Sequence, residues 1–296
     1  MAKVVFREPD VEGLSEAGFL GIDMHFHTDR SLDSVARINL VLKHAKKLGI
    51  GVAMTDHNEV SGGIEFFKNR EKVMVIPGVE LTSSEGTHTL LYFSTARECQ
   101  DWARKVLTPL KKKDPFRLPA TTEELYEGAQ PYNAVVCAPH PFGPGATGVH
   151  KIRITKKMEN LLDAVEGVSA YTTHTMNVRA VRWADRLGKP VTGGSDGHIV
   201  AELGQSLTFC QAHDVHEFLD ELTRGHCITM GKENTLYEKA VVGIEKEEAF
   251  IGRAQRKHRG LQLIKDQLGA EWGYLKKVVK RKWVHEKHRL FHEHHG

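Results

Sequence analysis

The chain has 296 residues, 40% hydrophobic and 27% charged, a length that fits one large α/β domain or two ordinary ones and a composition that supports a sizeable core. Its net charge of +3 is uneven: residues 251–296 carry a surplus of eight positive charges, which leaves the first 250 residues at −5, a mildly acidic body with a basic tail. No stretch approaches the ~20 successive apolar residues of a bilayer span, and Cys99, Cys137, Cys210 and Cys227 show no CxxC pairing, so neither a disulfide framework nor a thiolate zinc knuckle is indicated and a cytoplasmic setting is expected.

Residues 1–17 are rich in early acids and read as an N-terminal segment. Strand-like FLGIDMHFH then leads into the amphipathic SVARINLVLKHAKKLG, which ends on a glycine C-cap. GVAMTDH, a helix through GGIEFFKNR, and VMVIPGVEL continue the alternation, and THTLLYF follows closely enough for a hairpin or short excursion. Helical ARECQDWARKVL and TTEELYEGA precede AVVCAPH. DAVEGVSAY, the helix NVRAVRWADRLG and PVTGGSDGH supply further units, and SLTFC, DVHEFLDELTRG and HCITM close the body near residue 231. This rhythm predicts a mainly parallel β/α barrel with its helices outside and its site at the strand C-termini. PFGPGATG and SGG match no Walker or Rossmann fingerprint and read as turns.

Metal-competent side chains recur at those strand ends: His25, His27, Asp33, His57, Glu80, His88, His140, Asp196 and His198, all but His88 at a C-terminus. Residues i and i+2 of a strand share a face, so Asp23, His25 and His27 are expected to point into the barrel while Met24 and Phe26 face the outer helices. A single HxH is weak evidence, because a sheet face often carries a hydrogen-bonded histidine. Two such pairs with TDH and an inward glutamate in one barrel are not, since burying them without cations costs several kcal/mol per uncompensated ion.

HFHTDRSLDS, TDHNEVSG, PGVEL, APHPF and GGSDGH, in this order, resemble the PHP (polymerase and histidinol phosphatase) metallophosphoesterases across about residues 18–231. The resemblance implies a distorted seven-stranded β/α barrel holding two or three divalent ions, assigned to residues 18–240; the apolar period and clustered Lys/Arg of the remaining residues, not the resemblance, assign 241–296 to a basic amphipathic helical tail. The resemblance also implies a ligand set. His25, His27, Glu80 and Asp196 would hold one metal; Glu80 would bridge to a second held by His88 and His140; Asp33, His57 and His198 would hold a third. Asp33 stands where some members have histidine. Asp23 and Asp56 are placed to orient the ligand imidazoles. Nitrogen and oxygen donors without thiolate fit Zn²⁺, Mn²⁺ or Fe²⁺.

Closely spaced divalent ions can bind a bridging water and lower its pKa towards ~7, so the expected activity is hydrolysis of a phosphomonoester or a nucleotide-type phosphodiester by a metal-bridging hydroxide. The alternatives are an amidohydrolase-type C–N hydrolase, which usually has a carboxylated lysine mid-barrel, and a non-catalytic metal-binding scaffold. His174 is the visible candidate for a general acid, and Arg30 and Arg179 are candidates for pinning a phosphate. In the tail, Leu261, Ile264, Leu268, Trp272, Leu275, Val279 and Trp283 form a helical stripe beside Lys276, Lys277, Lys280, Arg281 and Lys282. That pattern suits packing on the barrel, a homo-oligomer contact, or a nucleic-acid or anionic-surface contact.

Overall fold

The computed structural model describes residues 3–111, 117–143 and 145–233; the basic tail expected over 241–296 lies outside them. Ten strands form a single mixed sheet: β1 (Lys3–Phe6), β2 (Leu20–Phe26), β3 (Gly51–Met54), β4 (Val75–Thr82), β5 (His88–Tyr92), β6 (Val135–Ala138), β7 (Ala164–Ser169), β8 (Val191–Gly194), β9 (Ser206–Cys210) and β10 (Ile228–Gly231). Their order is β1-β10-β9-β2-β3-β4-β5-β6-β7-β8. The α/β barrel class holds, with ten strands instead of seven. Seven consecutive strands, β2 to β8, make the ring, and β9, β10 and β1 extend from β2. Residues 3–6, placed by sequence in an N-terminal segment, join that extension parallel to β10.

The ring closes on itself at the strand C-termini. Phe26 bridges Gly197, the His27 N–H donates to Gly197 O at 2.9 Å, and the Asp196 N–H donates to His25 O at 2.8 Å. Lower down, side chains stitch the seam instead of a backbone ladder. Gly193 N–H donates to Thr208 Oγ1 at 2.9 Å, Ser206 Oγ donates to Val168 O at 2.7 Å, and Thr229 Oγ1 donates to Val191 O at 2.7 Å.

Helices cover the outside where the apolar period predicts. The helix Ile38–Leu48 buries Ile38, Val41, Leu42 and Ala45 and stops at Gly49, whose φ of 70° suits a residue without Cβ. Val41 and Leu42 meet the outward side chains Val52, Met54 and Phe26. Thr121 and Glu124 form a reciprocal capping box on the helix Thr122–Ala129. The helix Val215–Thr223 is different: it sends Phe218, Leu219 and Leu222 into the inward-facing cluster of Ile22, Met24, Ala53, Ile76, Tyr92 and Cys137. No helix among the described residues is long and apolar enough to cross a membrane.

Two expectations are corrected. Strict alternation would turn Met24 outward, yet it packs in the same cluster as Ile76 and Leu90, on the face that carries Glu80 and His88. The cause is a register shift between Asp23 and Phe26, which lets Met24 and His25 both reach the interior. Asp23 turns to the seam, where its carboxylate accepts the N–H groups of Ser195 and Gly204 at 2.9 Å each. Cysteine pairing also departs from the sequence reading: Cys210 and Cys227 are disulfide-bonded, with Cα atoms 4.7 Å apart. They extend the antiparallel register in which Ile228 faces Phe209, so they sit opposite each other across β9 and β10. A spacing of 17 residues conceals that adjacency.

The seam depends on Gly193, where an added Cβ would meet Ser206 Oγ at 2.6 Å, Thr229 Cγ2 at 2.9 Å and Leu207 O at 3.1 Å. Gly193→Ala should therefore destabilise the barrel by about 1–3 kcal/mol, read as a lower urea midpoint at unchanged slope.

Candidate metal centre

All nine sequence-nominated ligands project from the closed end of the ring. His25 is the penultimate residue of β2 and His27 follows the strand; His57 follows β3; His140 follows β6; Asp196 and His198 follow β8. Glu80 lies within β4 and faces inward by alternation. His88, the exception to the strand-end rule, opens β5; because β5 runs antiparallel to β4 with Thr82 opposite His88, its start lies beside the end of β4. Seven of the nine are buried, while Asp33 and His57 form the half-buried rim.

The four atoms His25 Nε2, His27 Nε2, Glu80 Oε and Asp196 Oδ1 crowd one point. The two imidazole nitrogens are 3.1 Å apart. His25 Nε2 is 3.4 Å from Glu80 Oε1 and 3.5 Å from Asp196 Oδ1, and His27 Nε2 is 3.3 Å from Glu80 Oε2 and 3.3 Å from Asp196 Oδ1. Tetrahedral ligands at metal distances of about 2.0–2.1 Å stand roughly 3.3–3.4 Å from one another, so these separations match the edges of a coordination polyhedron. Glu80 Oε1 also lies 2.8 Å from His88 Nδ1 and 3.1 Å from His140 Nε2. At the rim, Asp33 Oδ2 lies 3.3 Å from His57 Nε2 and 3.2 Å from His198 Nε2. His57 stands between the groups, its Nδ1 3.1 Å from Glu80 Oε2. The ligand atoms thus gather into three overlapping sets: His25, His27, Glu80 and Asp196; His57, Glu80 and His88; His27, Asp33, His57 and His198.

A surrounding set of acids aims these rings. His25 Nδ1–H donates to Glu166 Oε1 at 3.1 Å, which leaves Nε2 as the inward lone pair. His198 Nδ1–H donates to Asp196 O at 2.9 Å with the same result. Glu166 Oε2 accepts the His140 N–H at 2.7 Å, and Glu202 Oε2 accepts the His198 N–H at 2.8 Å. Asp56 accepts the N–H and hydroxyl of Thr28 at 2.6 and 2.8 Å, pinning the turn after His27. The backbone is bent to present two ligands: His140 and Asp196 have φ of 28° and 52°, the left-handed region that non-glycine residues disfavour. Sequence reasoning missed Glu166 and Glu202. An acid at an inward position of the apolar strand AVEGVS was a readable signal for the first; nothing in HIVAEL marked the second.

The electrostatics describe a cluster that needs positive charge. Burial opposes a charged His25, but the carboxylates of Asp196, Glu80 and Glu166 outweigh it and hold the imidazole well above its ordinary value. Burial likewise opposes a charged His57, and Asp33 and Glu80 raise it to about 9. Burial would raise Glu80, yet His88, His25 and His57 hold it well below the usual carboxylate range. His27 goes the other way, to about 4, through burial and the repulsion of His198 and His57. Burial pushes Asp23 up to about 6 and Asp56 to about 7. His27 Nδ1 and His140 Nδ1 are buried without a hydrogen-bond partner among the described residues. Without cations, protons on some imidazoles must compensate the carboxylates; nitrogen and oxygen donors at these spacings fit divalent ions, which would displace those protons.

The other nominated residues stand outside the cluster. His174 opens the helix His174–Leu187, with its Nδ1 3.0 Å from Glu233 Oε1 and its ring edge-on to Phe6 at 4.9 Å. Arg30 pairs with Glu65 at 2.6 Å. The Arg179 guanidinium lies over the Phe142 ring at 4.4 Å, two residues beyond His140.

Comparison with known proteins bears on this geometry. The profile of the PHP domain matches residues 23–171, and a profile described as PHP-associated matches residues 174–227. The uncharacterized protein MJ1587 of Methanocaldococcus jannaschii is 31% identical over 162 residues, 50% of this chain and 81% of that protein. Among solved structures, PsfC from Pseudomonas syringae PB-5123 is similar with a TM-score of 0.56 at 17% identity, covering 78% of this chain and 99% of that one. The lesion-specific endonuclease PfuEndoQ from Pyrococcus furiosus is similar with a TM-score of 0.58 at 18% identity, covering 71% of this chain and 57% of its own.

A pH dependence follows for the metal-free protein. A folded-state pKa of about 9 at His57, above the ordinary 6.5, contributes stability that is complete below pH 6.5 and is lost as pH rises through 9. His25 acts in the same direction. Chelator-treated protein should therefore lose thermal stability between about pH 6.5 and 9, His57→Gln should flatten that slope, and added Zn²⁺ or Mn²⁺ should restore the midpoint at the alkaline end.

Proposed function

The chain belongs to the PHP domain family, and from that premise we propose that it is a metal-dependent phosphoesterase cleaving a nucleotide-type phosphodiester. The observation that carries the reading is the convergence of five imidazoles on the single carboxylate of Glu80: His25, His27, His57, His88 and His140 each place a nitrogen within 3.4 Å of one of its oxygens. In this reading His25, His27, Glu80 and Asp196 hold one ion, and Glu80 shares a second with His88 and His140. Asp33, His57 and His198 hold a third at the rim. Divalent ions there would supply Lewis acidity towards the phosphoryl oxygens and water acidic enough to attack phosphorus near neutral pH. The absence of thiolate favours Zn²⁺, Mn²⁺ or Fe²⁺.

The protein's own part is to position, neutralise and orient. Glu80 meets His25, His88 and His140 through Oε1 and His27 and His57 through Oε2, so it is the one carboxylate that would be common to neighbouring ions among these ligand sets. Arg179, exposed and with its guanidinium over the Phe142 ring, is our candidate for a charge-assisted contact with a substrate phosphate; Arg30 would have to exchange Glu65 for the phosphate. The fold shared with a lesion-specific endonuclease favours the diester over a phosphomonoester and makes a nucleic-acid partner our preferred substrate class. The PHP-domain match favours the phosphoester reading over an amidohydrolase-type reaction. We also propose that the basic tail adds a surface for an anionic partner.

A panel of phosphomonoesters, nucleotides and undamaged or lesion-containing duplexes, assayed after chelation and Mn²⁺ addition, tests this. Diester cleavage should return with Mn²⁺, and Glu80→Gln and His140→Ala should each lower it by on the order of 100-fold or more. Unchanged rates in both variants would remove the site from the reaction. A general acid is worth about 10²–10⁴-fold; with His174 held by Glu233 and Phe6, His174→Ala should cost less than about tenfold.

A further inference from the structure

Glu166 is a buried acid outside the proposed ligand set that hydrogen-bonds to ligands of two different proposed metal positions. It sits in β7, 1% exposed, beneath the imidazoles. Oε1 receives the His25 Nδ1–H at 3.1 Å and Oε2 receives the His140 backbone N–H at 2.7 Å. His25 belongs to the set with His27, Glu80 and Asp196, whereas His140, 3.1 Å from Glu80 Oε1, is assigned to the second proposed position. We propose that Glu166 is a positioning residue that couples these two metal positions. Resting on the metal-centre reading above, the proposal adds a residue that orders one ligand of each position at once.

Three features of the structure carry this. First, His25 has two nitrogens and one must face the centre; a carboxylate oxygen on Nδ1 forces the proton there and leaves the Nε2 lone pair inward. Second, His140 has a φ of 28°, a conformation a residue with a side chain holds only when its surroundings over-determine it. The hydrogen bond from its own N–H to Glu166 supplies that restraint, and the turn is closed by Gly143 N–H donating to His140 O at 2.6 Å. Third, the neighbouring strand is cut to fit the pair. At Gly194 an added Cβ would meet His25 Cβ at 2.4 Å and Glu166 Oε1 at 2.8 Å, so the β8 backbone lies directly against the His25–Glu166 contact. A carboxylate that accepts on both oxygens is the group this place needs. Glutamine keeps one acceptor oxygen in place of two: turned to the His140 N–H, it leaves its NH2 facing His25 Nδ1, where it donates and drives the ring proton to the inward Nε2.

Glu166→Gln and Glu166→Ala in the full chain test it with two readouts. The first is metal affinity, by calorimetric titration of chelated protein with Zn²⁺. The second is NMR of the metal-free and Zn²⁺-loaded protein, following the His25 Nδ1 proton and the exchange protection of the His140 amide. In the unmodified protein both NMR signals should be protected with and without metal. Glu166→Gln should keep only one of them and lower Zn²⁺ affinity on the order of 10–100-fold, and Glu166→Ala should lose both. Unchanged affinity, or both signals retained in Glu166→Gln, would overturn the proposal. If Glu166→Ala does not fold, Glu166→Gln, nearly identical in size, decides alone. Should the unmodified chain bind no Zn²⁺, the metal-centre reading fails, while the two NMR signals in metal-free protein still show whether Glu166 holds His25 and His140 as described.

Discussion

Everything at the strand C-termini of this barrel is arranged around one electrostatic constraint: the Glu80 carboxylate, 1% exposed, cannot stand alone among lone pairs. Its oxygens and the neighbouring Asp196 are met by imidazole nitrogens at 2.8 to 3.5 Å, and two of those nitrogens, on His25 and His27, are themselves only 3.1 Å apart. Lone pairs at such distances repel unless positive charge lies between them, and removing ionised groups from water costs several kcal/mol for each one left uncompensated. Protons can provide that charge in part, which is why His57, against the opposing effect of burial, is pulled up to about 9 by the carboxylates of Asp33 and Glu80, while burial and the neighbouring imidazoles take His27 down to about 4. Divalent cations satisfy the same demand without leaving any ring in the wrong protonation state.

The fold supplies what that demand needs. Parallel strands bring successive C-termini to one rim, and the antiparallel β5 adds His88 by starting where β4 ends. The seam between β2 and β8 closes at the same rim, so the backbone bonds that complete the ring, from His27 to Gly197 and from Asp196 to His25, are made by the ligand residues themselves. Barrel closure and site assembly are therefore one event. The disfavoured backbone conformations of His140 and Asp196 sit where the chain must turn to present a side chain, and buried acids holding adjacent N–H groups restrain both kinds of turn.

Much of this was legible in the residues. HxH and DxH at strand ends, TDH and the inward glutamate of PGVEL need only the period of a strand to be placed together, and the structure brings them together. What stayed hidden required knowledge of partners distant in sequence. Glu166 lies 141 residues from His25, and its role depends on which strand neighbours which. The pairing of Cys210 with Cys227 depends on the register of β9 against β10, and the inward turn of Met24 on a local bulge that hydrophobic pattern does not encode. The four residues of β1 are too few to show periodicity, and they form a strand because β10 offers an edge.

Anomalous diffraction from crystals of protein purified without chelator, recorded above and below the Zn, Fe and Mn absorption edges, addresses the central claim directly. The account predicts at least two anomalous peaks flanking Glu80, each about 2.0–2.3 Å from one of its oxygens and from imidazole nitrogens of the named histidines. Crystals grown with excess Zn²⁺ or Mn²⁺ that show no peak beside Glu80 would contradict it.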